Sequence, residues 1–332
     1  MPRILLTHTP DMLANYYGPR ALAALRELGE VRLNPGGVLE TSALIEAARG
    51  CDIVVSDRQT PGEARFFEHA PDVAVFLRVA VDIRNIDVAA ASRQGVLVTR
   101  ATPGFVPAVA EMAVGFMVDL ARHIPAAVAD YRGGRDPAAQ MGRQLKGSTL
   151  GIMGYGAIGQ YLVPLGVALG MTVLVNDPYS TVTDPALRQV SLETVLAESD
   201  FVVCLVVANE ETENLMNAAA FARMRPSAYF INLSRGNLVD EAALERALDE
   251  RRIAGAAMDV GRAADQKPSP RLARRADVIA TPHIAGLTPQ AIEHQAFDTV
   301  NQVRELVAGR VPPGAVNAET ASRIARWLGP AA

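Results

Sequence analysis

Apolar residues recur along this chain in two rhythms. Short continuous runs rich in Val, Ile and Leu alternate with stretches whose apolar positions repeat every three to four residues. Residues 3–7 (RILLT), 30–33, 51–56, 73–81 and 95–99 are runs of the first kind and predict strands. Between them Ala21, Leu22, Leu25 and Leu28 form a helical stripe that Gly29 ends. Further helices are predicted over 42–49, with Ser42 as N-cap, over 61–68 and over 87–93. Strands that are apolar throughout, separated by helices, predict a parallel sheet covered on both faces.

The pattern changes at residue 109. Residues 109–122 (VAEMAVGFMVDLAR) are apolar nearly all round, which predicts a buried or interface helix. Residues 132–146 are polar and glycine-rich and read as a surface loop. The alternation then resumes. Strands are predicted over 150–153, 172–175, 201–207, 228–233, 254–258 and 278–280, with helices between them, two of them capped by Ser191 and Asp240. A long helix over 288–308 ends at Pro312-Pro313-Gly314. The simplest arrangement is two α/β domains: residues 1–100 with 288–332, and residues 101–287. A cleft between them would take a substrate.

Composition narrows the function. The chain has 332 residues, 49% apolar and 20% charged, with a net charge of −4. No basic block is long enough to follow a phosphate backbone, so nucleic acid is not an expected partner. No apolar run reaches the ~18 residues a membrane helix needs. The N-terminus lacks a signal-peptide layout. Cys51 and Cys204 lie in apolar runs and read as reduced core thiols, which suggests the cytoplasm. His and Cys show no metal-ligand spacing, so no metal is expected.

The densest chemistry lies in 150–177, LGIMGYGAIGQYLVPLGVALGMTVLVND. This is strand, glycine-rich turn, helix, strand and acid, the context of a dinucleotide-binding turn. Gly154 permits the tight turn, Gly156 lets a pyrophosphate approach the backbone, and Gly159 lets the helix pack on the sheet. The helix N-terminus offers unpaired N–H groups and partial positive charge. Asp177 follows Gly159 by 18 residues. A carboxylate there can accept from ribose hydroxyls and repel a 2′-phosphate, which favours NAD over NADP.

Three later stretches carry reactive side chains. In Leu233-Ser234-Arg235-Gly236 an Arg follows a strand; it could hold a carboxylate with two parallel hydrogen bonds, or be a surface turn residue. In Ala256-Ala257-Met258-Asp259 an acid ends a small-residue strand; it could orient a cofactor's nicotinamide end, or cap the loop that follows. In Thr281-Pro282-His283-Ile284-Ala285-Gly286 a His is set between Pro and Gly; imidazole can supply and remove one proton per turnover, or the ring could be structural.

Taken in order, these stretches resemble the D-isomer-specific 2-hydroxyacid dehydrogenase family from about Val73 to about Val307. Further matches are Asn85-Ile86-Asp87, Val109-Ala110-Glu111, Leu145-Lys146-Gly147 and Gly236 to Glu241. The resemblance implies two Rossmann-like domains, one flavodoxin-like and one dinucleotide-binding, with doubly wound parallel sheets and an interdomain cleft. It implies NAD as cofactor and a small anionic 2-oxo or D-2-hydroxy acid as substrate. Arg235 would bind and polarise the substrate, and His283 would be the general acid and base. Ala157 and Ile158 would present N–H groups to the pyrophosphate. Leu233, Ser234, Asp259, Ala285 and Gly286 would line the nicotinamide pocket. The helix near 109–122 would help form a homodimer.

The chain also departs from the family. A Glu that pairs with the catalytic His usually stands five residues after the Asp of the AMDV stretch; here that position is Ala264. Asp265 is the expected substitute, with Gln266 or no partner as alternatives. The substrate loop, a Gly-x-Gly stretch in the family, reads Arg78-Val79-Ala80-Val81-Asp82, and Asp82 puts a negative charge near an anion site. Val106 replaces a Thr near the cofactor. Val79, Ala80, Val81 and Arg58 are the expected substrate contacts. Tyr16-Tyr17 are further candidates, and Arg271, Arg274 and Arg275 read as a solvated face. Two other readings compete: an NAD-sensing regulatory protein of the same family with vestigial catalysis, and a formate- or phosphite-type dehydrogenase.

Overall fold

The computed structural model describes residues 1–185 and 187–328. The chain divides into two compact units, Met1–Gly104 with Thr288–Ala332, and Phe105–Leu287. Of the domain span 288–332 expected from sequence, residues 329–332 lie outside the described ones.

The first unit is built on β1 (Arg3–Leu6), β2 (Glu30–Leu33), β3 (Ile53–Ser56), β4 (Val75–Arg78) and β5 (Leu97–Thr99), all parallel, in the order β2-β1-β3-β4-β5. That is a doubly wound order whose direction reverses between β1 and β3. Every residue of β3, β4 and β5 is buried, which is why their sequences read as unbroken apolar runs. Alternate residues serve opposite faces. Leu6, Val55 and Leu77 pack with Val300 and Val303 of the helix Pro289–Val307. Leu5, Val54 and Phe76 pack with Phe66 and Phe67.

The second unit is built on β6 (Thr149–Met153), β7 (Thr172–Asn176), β8 (Arg188–Gln189), β9 (Phe201–Cys204), β10 (Tyr229–Asn232), β11 (Gly255–Met258) and β12 (Val278–Ala280). All pair in parallel, in the order β12-β11-β10-β9-β6-β7-β8. The direction reverses between β6 and β9, so the glycine turn after β6 opens at the switch point, where a dinucleotide binds. Ile152, Val203 and Ile231 pack under Phe116 and Met117 of the helix Val106–Arg122, while Met153, Val202 and Phe230 pack against Phe221 and Leu244.

Two helices have no counterpart in the sequence reading, Pro10–Tyr16 and Ile124–Arg132. Neither buries a residue: Leu13 of the first is only partly buried, and Ile124, Val128 and Tyr131 of the second recur at helical spacing on an exposed face. The helix expected over 61–68 spans Ala64–His69 instead, because the Gly62 N–H donates to the Asn85 carbonyl, 2.9 Å, and binds that segment to a neighbouring loop. Among the described residues no single helix is long and apolar enough to cross a membrane.

Candidate active site

In the second unit the groups singled out from sequence gather at the carboxyl edge of the sheet. Gly154 has φ 97°, and a Cβ there would lie 2.8 Å from the Leu205 carbonyl. A Cβ on Gly159 would overlap the Gly154 carbonyl oxygen, so the helix Ala157–Ala168 starts directly against the turn. Around Gly156 a Cβ would meet nothing within 4 Å. The position is open, and the N–H groups of Ala157 and Ile158 in the first helical turn have no intrahelical acceptor. An anion is the complement of that cradle.

Asp177 ties the turn to the end of β7. Its Oδ2 accepts from the Tyr155 N–H at 2.7 Å, and Oδ1 accepts from the N–H groups of Tyr179 and Ser180 at 2.8 and 3.0 Å. A carboxylate has about four lone-pair sites, so acceptor capacity for ribose hydroxyls remains. The site fits an NAD molecule on three counts: an open glycine, unpaired helix N–H groups, and a fixed, half-buried acid.

Arg235 and His283 follow strands β10 and β12, with Asp259 after β11 between them. Asn232, Met258 and Ala280 are register partners across these three strands, so the loops begin side by side. Asn232 shapes the first loop: its side-chain amide donates to the Arg235 carbonyl at 2.9 Å and its Oδ1 accepts from the Ser234 N–H at 3.1 Å. The half-buried Arg235 guanidinium donates from Nη1 to the Ser234 carbonyl at 2.8 Å. Leu233 is buried, and Ser234 donates its hydroxyl to the Val206 carbonyl.

Asp259 is 1% exposed and organises the His loop. Its Oδ1 accepts from the Thr281 hydroxyl at 2.6 Å and the Ile284 N–H at 2.8 Å, and its Oδ2 accepts from the Ala285 N–H at 2.8 Å. The His283 N–H donates to the Asp259 carbonyl at 2.9 Å. These bonds hold His283 at φ 61°, a conformation β-carbon-bearing residues adopt rarely, on a loop that continues through the exposed Ile284 to the buried Ala285 and half-buried Gly286.

The expected carboxylate partner of His283 is corrected here. Asp265 does reach the ring, but through its main chain: Nδ1 of His283 stands 3.0 Å from the Asp265 carbonyl oxygen. The Asp265 side chain is 80% exposed and lies 3.5 Å from Lys267 Nζ. The reason is backbone conformation. Asp265 and Gln266 have φ 57° and 59°, which turns the carbonyl toward the ring and the carboxylate outward. The Gln266 alternative is not met either, since its Oε1 is buried without a partner. A carbonyl only accepts, so Nδ1 carries the hydrogen and Nε2 is the ring nitrogen without one in the neutral imidazole.

In the first unit, Arg58 is exposed and donates to Gln295 Oε1 at 3.3 Å. Val79 and Ala80 are buried and Val81 is half-buried. Among the described residues the N–H groups of Ala80 and Val81 take no hydrogen-bond partner. Asp82 is gripped by Arg84 through Nε at 3.0 Å and Nη2 at 2.5 Å, so the charge it brings to the loop is met from the loop itself. Tyr17 is buried and hydrogen-bonded to Thr299, a core residue.

Among the buried polar residues at the strand ends of the first unit, sequence reasoning passed over His8 and gave Arg78 no role beyond its place at the start of the substrate loop. His8 stands two residues past the end of β1, a strand-end placement like that of His283. The basic residues 271–275 divide: Arg271 pairs with Glu245 and is 82% exposed, but Arg275 is 24% exposed and bridges Asp249 and Asp277.

Known proteins resemble the chain along its length. Residues 114–285 match the NAD-binding domain of the D-isomer specific 2-hydroxyacid dehydrogenases. D-3-phosphoglycerate dehydrogenase of Synechocystis sp. is 32% identical over 321 residues, 96% of this chain; the chain spans only 56% of that relative's length. Glyoxylate reductase of Korarchaeum cryptofilum is 33% identical over 83% of this chain and 86% of its own. The structure of D-lactate dehydrogenase with NAD+ from Lactobacillus jensenii superposes with a TM-score of 0.82 at 25% identity, covering 95% of this chain and 99% of that one. The glycine cradle, Asp177 and the Arg and His loops thus stand in a chain that belongs to the NAD-binding D-isomer-specific 2-hydroxyacid dehydrogenase family.

Proposed function

We propose that the protein is an NAD-dependent oxidoreductase that interconverts a small 2-oxo acid and its D-2-hydroxy acid. The observation that carries this reading is the placement of Arg235 and His283 on loops from strands flanking β11, in the unit that holds the nucleotide cradle. NAD, when bound, supplies or accepts the hydride. Gly154, Gly156, Ala157, Ile158 and Gly159 receive the diphosphate, and Asp177 the adenosine ribose. Leu233, Ser234, Ala285 and Gly286 line the nicotinamide side. Asp259 Oδ2 has one donor and keeps acceptor capacity for the carboxamide.

Arg235 offers a planar fork of donors. It holds the substrate carboxylate and draws electron density from the neighbouring carbonyl. His283 gives a proton from Nε2 during reduction and takes one during oxidation. Its Nδ1–H bond to a neutral carbonyl fixes tautomer and ring orientation without adding a negative charge. The first unit is the substrate domain on this reading, with the unpaired N–H groups of Ala80 and Val81, and Arg58, as its anion-binding groups. Exposed apolar residues on and after the helix Val106–Arg122, including Val118, Ile124 and Val128, suit a homodimer contact, and two buried free thiols suit the cytoplasm.

The test is NADH oxidation by the purified protein with glyoxylate, hydroxypyruvate, pyruvate and longer 2-oxo acids. Turnover that is lost in Arg235→Ala and His283→Ala is expected. Tight NADH binding with no turnover on any acid would instead support the regulatory reading.

A further inference from the structure

At the switch-point edge of the first unit lies a guanidinium with no access to water. Arg78, the last residue of β4, is 0% exposed. Its Nη1 donates to the Asp57 carbonyl, and its Nη2 donates to the Thr60 carbonyl at 3.1 Å and to Asn85 Oδ1 at 2.5 Å. One planar group thus binds the loop after β3 and the loop that closes the Val79–Asp82 segment.

Both loops are braced around it. Asp57 folds its own loop: Oδ1 accepts from the N–H groups of Gln59 and Thr60, and Oδ2 from the hydroxyls of Thr7 and Thr60. That leaves the Asp57 and Thr60 carbonyls directed at Arg78. Asn85 completes the link, since its amide donates to the Arg58 carbonyl at 3.3 Å while its Oδ1 receives Arg78. Burial pushes the Arg78 guanidinium down to about 10, with Asp57 and Asp82 opposing, so it stays charged at neutral pH.

A buried charge is costly, and a pair or network of this kind is weak support for stability in itself. Its geometry has a more specific consequence. Arg78 is covalently continuous with Val79 and Ala80, and its side chain reaches forward to Asn85, so the segment 79–84 is pinned at both ends. That segment carries the unpartnered Ala80 and Val81 N–H groups. It also lacks the two family glycines, so its shape has to be imposed from outside. We propose that Arg78, acting through Asn85 and the Asp57–Thr60 loop, is a positioning residue that fixes the Ala80–Val81 amides for a substrate carboxylate. This rests on the reading that the first unit binds the acid substrate.

The test uses the full chain and three variants, Asn85→Ala, Arg78→Lys and Arg78→Met. Lysine keeps the charge but is a point donor and cannot fork to three acceptors. Four readouts are taken: KM and kcat for the best 2-oxo acid, NADH Kd by nicotinamide fluorescence, Tm, and amide hydrogen exchange of the 79–86 peptide. Asn85→Ala is expected to speed exchange in 79–86 and to raise the acid KM about tenfold. NADH Kd should stay within twofold. Arg78→Lys should fall between Asn85→Ala and Arg78→Met. Asn85→Ala is the milder change, and it decides the matter if Arg78→Met does not fold. Unchanged exchange in 79–86 and unchanged KM in Asn85→Ala, with only Tm lowered, would overturn the proposal. A wild-type protein that turns over no 2-oxo acid would sink the substrate reading, and the exchange data would still decide whether Arg78 positions the segment.

Discussion

His283 shows how one side chain's role depends on the atom that faces it. Because the Asp265 main-chain carbonyl, not its carboxylate, meets Nδ1, Asp265→Ala is expected to leave kcat/KM and its pH profile within about twofold of wild type. A profile shifted by a unit would return the carboxylate to the mechanism. His283→Gln keeps a polar side chain but cannot shuttle a proton, and kcat should fall by about 10² to 10⁴. His8 makes a different prediction, about stability. Burial pushes its imidazole down to about 4, against the pull of Asp57 and with the push of Arg78. The unfolded chain therefore takes up a proton below about 6.5 that the folded chain refuses until about 4. Stability is full above that window and falls as pH drops through it, by on the order of 3 kcal/mol from this residue. Urea unfolding at pH 7 and pH 4.5 tests this: His8→Gln should lose less between the two pH values than wild type does.

At the scale of an element, the β6–turn–helix unit separates packing from binding. Gly159→Ala pushes a methyl into the Gly154 carbonyl and should destabilise the second unit by about 1–3 kcal/mol, read as a lower urea midpoint. Gly156 has φ −73° and open space around it, so Gly156→Ala should fold with an unchanged midpoint. It should still weaken NADH binding about tenfold or more, because the methyl occupies the diphosphate's approach. Equal effects of the two changes on Tm would contradict this division. The Thr281–Gly286 loop is a second such unit. Its shape is written by Asp259, whose three side-chain bonds come from the Thr281 hydroxyl and the Ile284 and Ala285 N–H groups.

At the scale of the molecule, the two units differ in continuity. Both apolar clusters of the second unit are complete within Phe105–Leu287. A fragment with those ends is expected to fold and bind NADH within about tenfold of the full chain, without turnover. The first unit is discontinuous. Ala296, Val300, Val303 and Leu306 of the helix Pro289–Val307 are buried against its sheet. Residues 1–104 alone should therefore expose that face and aggregate, which light scattering would show.

The amino-acid sequence by itself determined what local pattern can carry. Buried parallel strands announce themselves as unbroken apolar runs, and strand order in chain gave the two α/β units. The glycine turn, Asp177, Arg235 and His283 were legible because each sits at a strand end, where backbone spacing alone sets its place. Tertiary structure decided what depends on partners far along the chain or on a backbone turn. It buried Arg78 and gave it acceptors 7 to 21 residues away. It set the positive φ at Asp265 that exchanged a carboxylate for a carbonyl at His283. Periodicity records which face of an element is dry; it does not record which atom of a loop residue faces its neighbour, because that is settled by hydrogen bonds formed only once the strands are aligned.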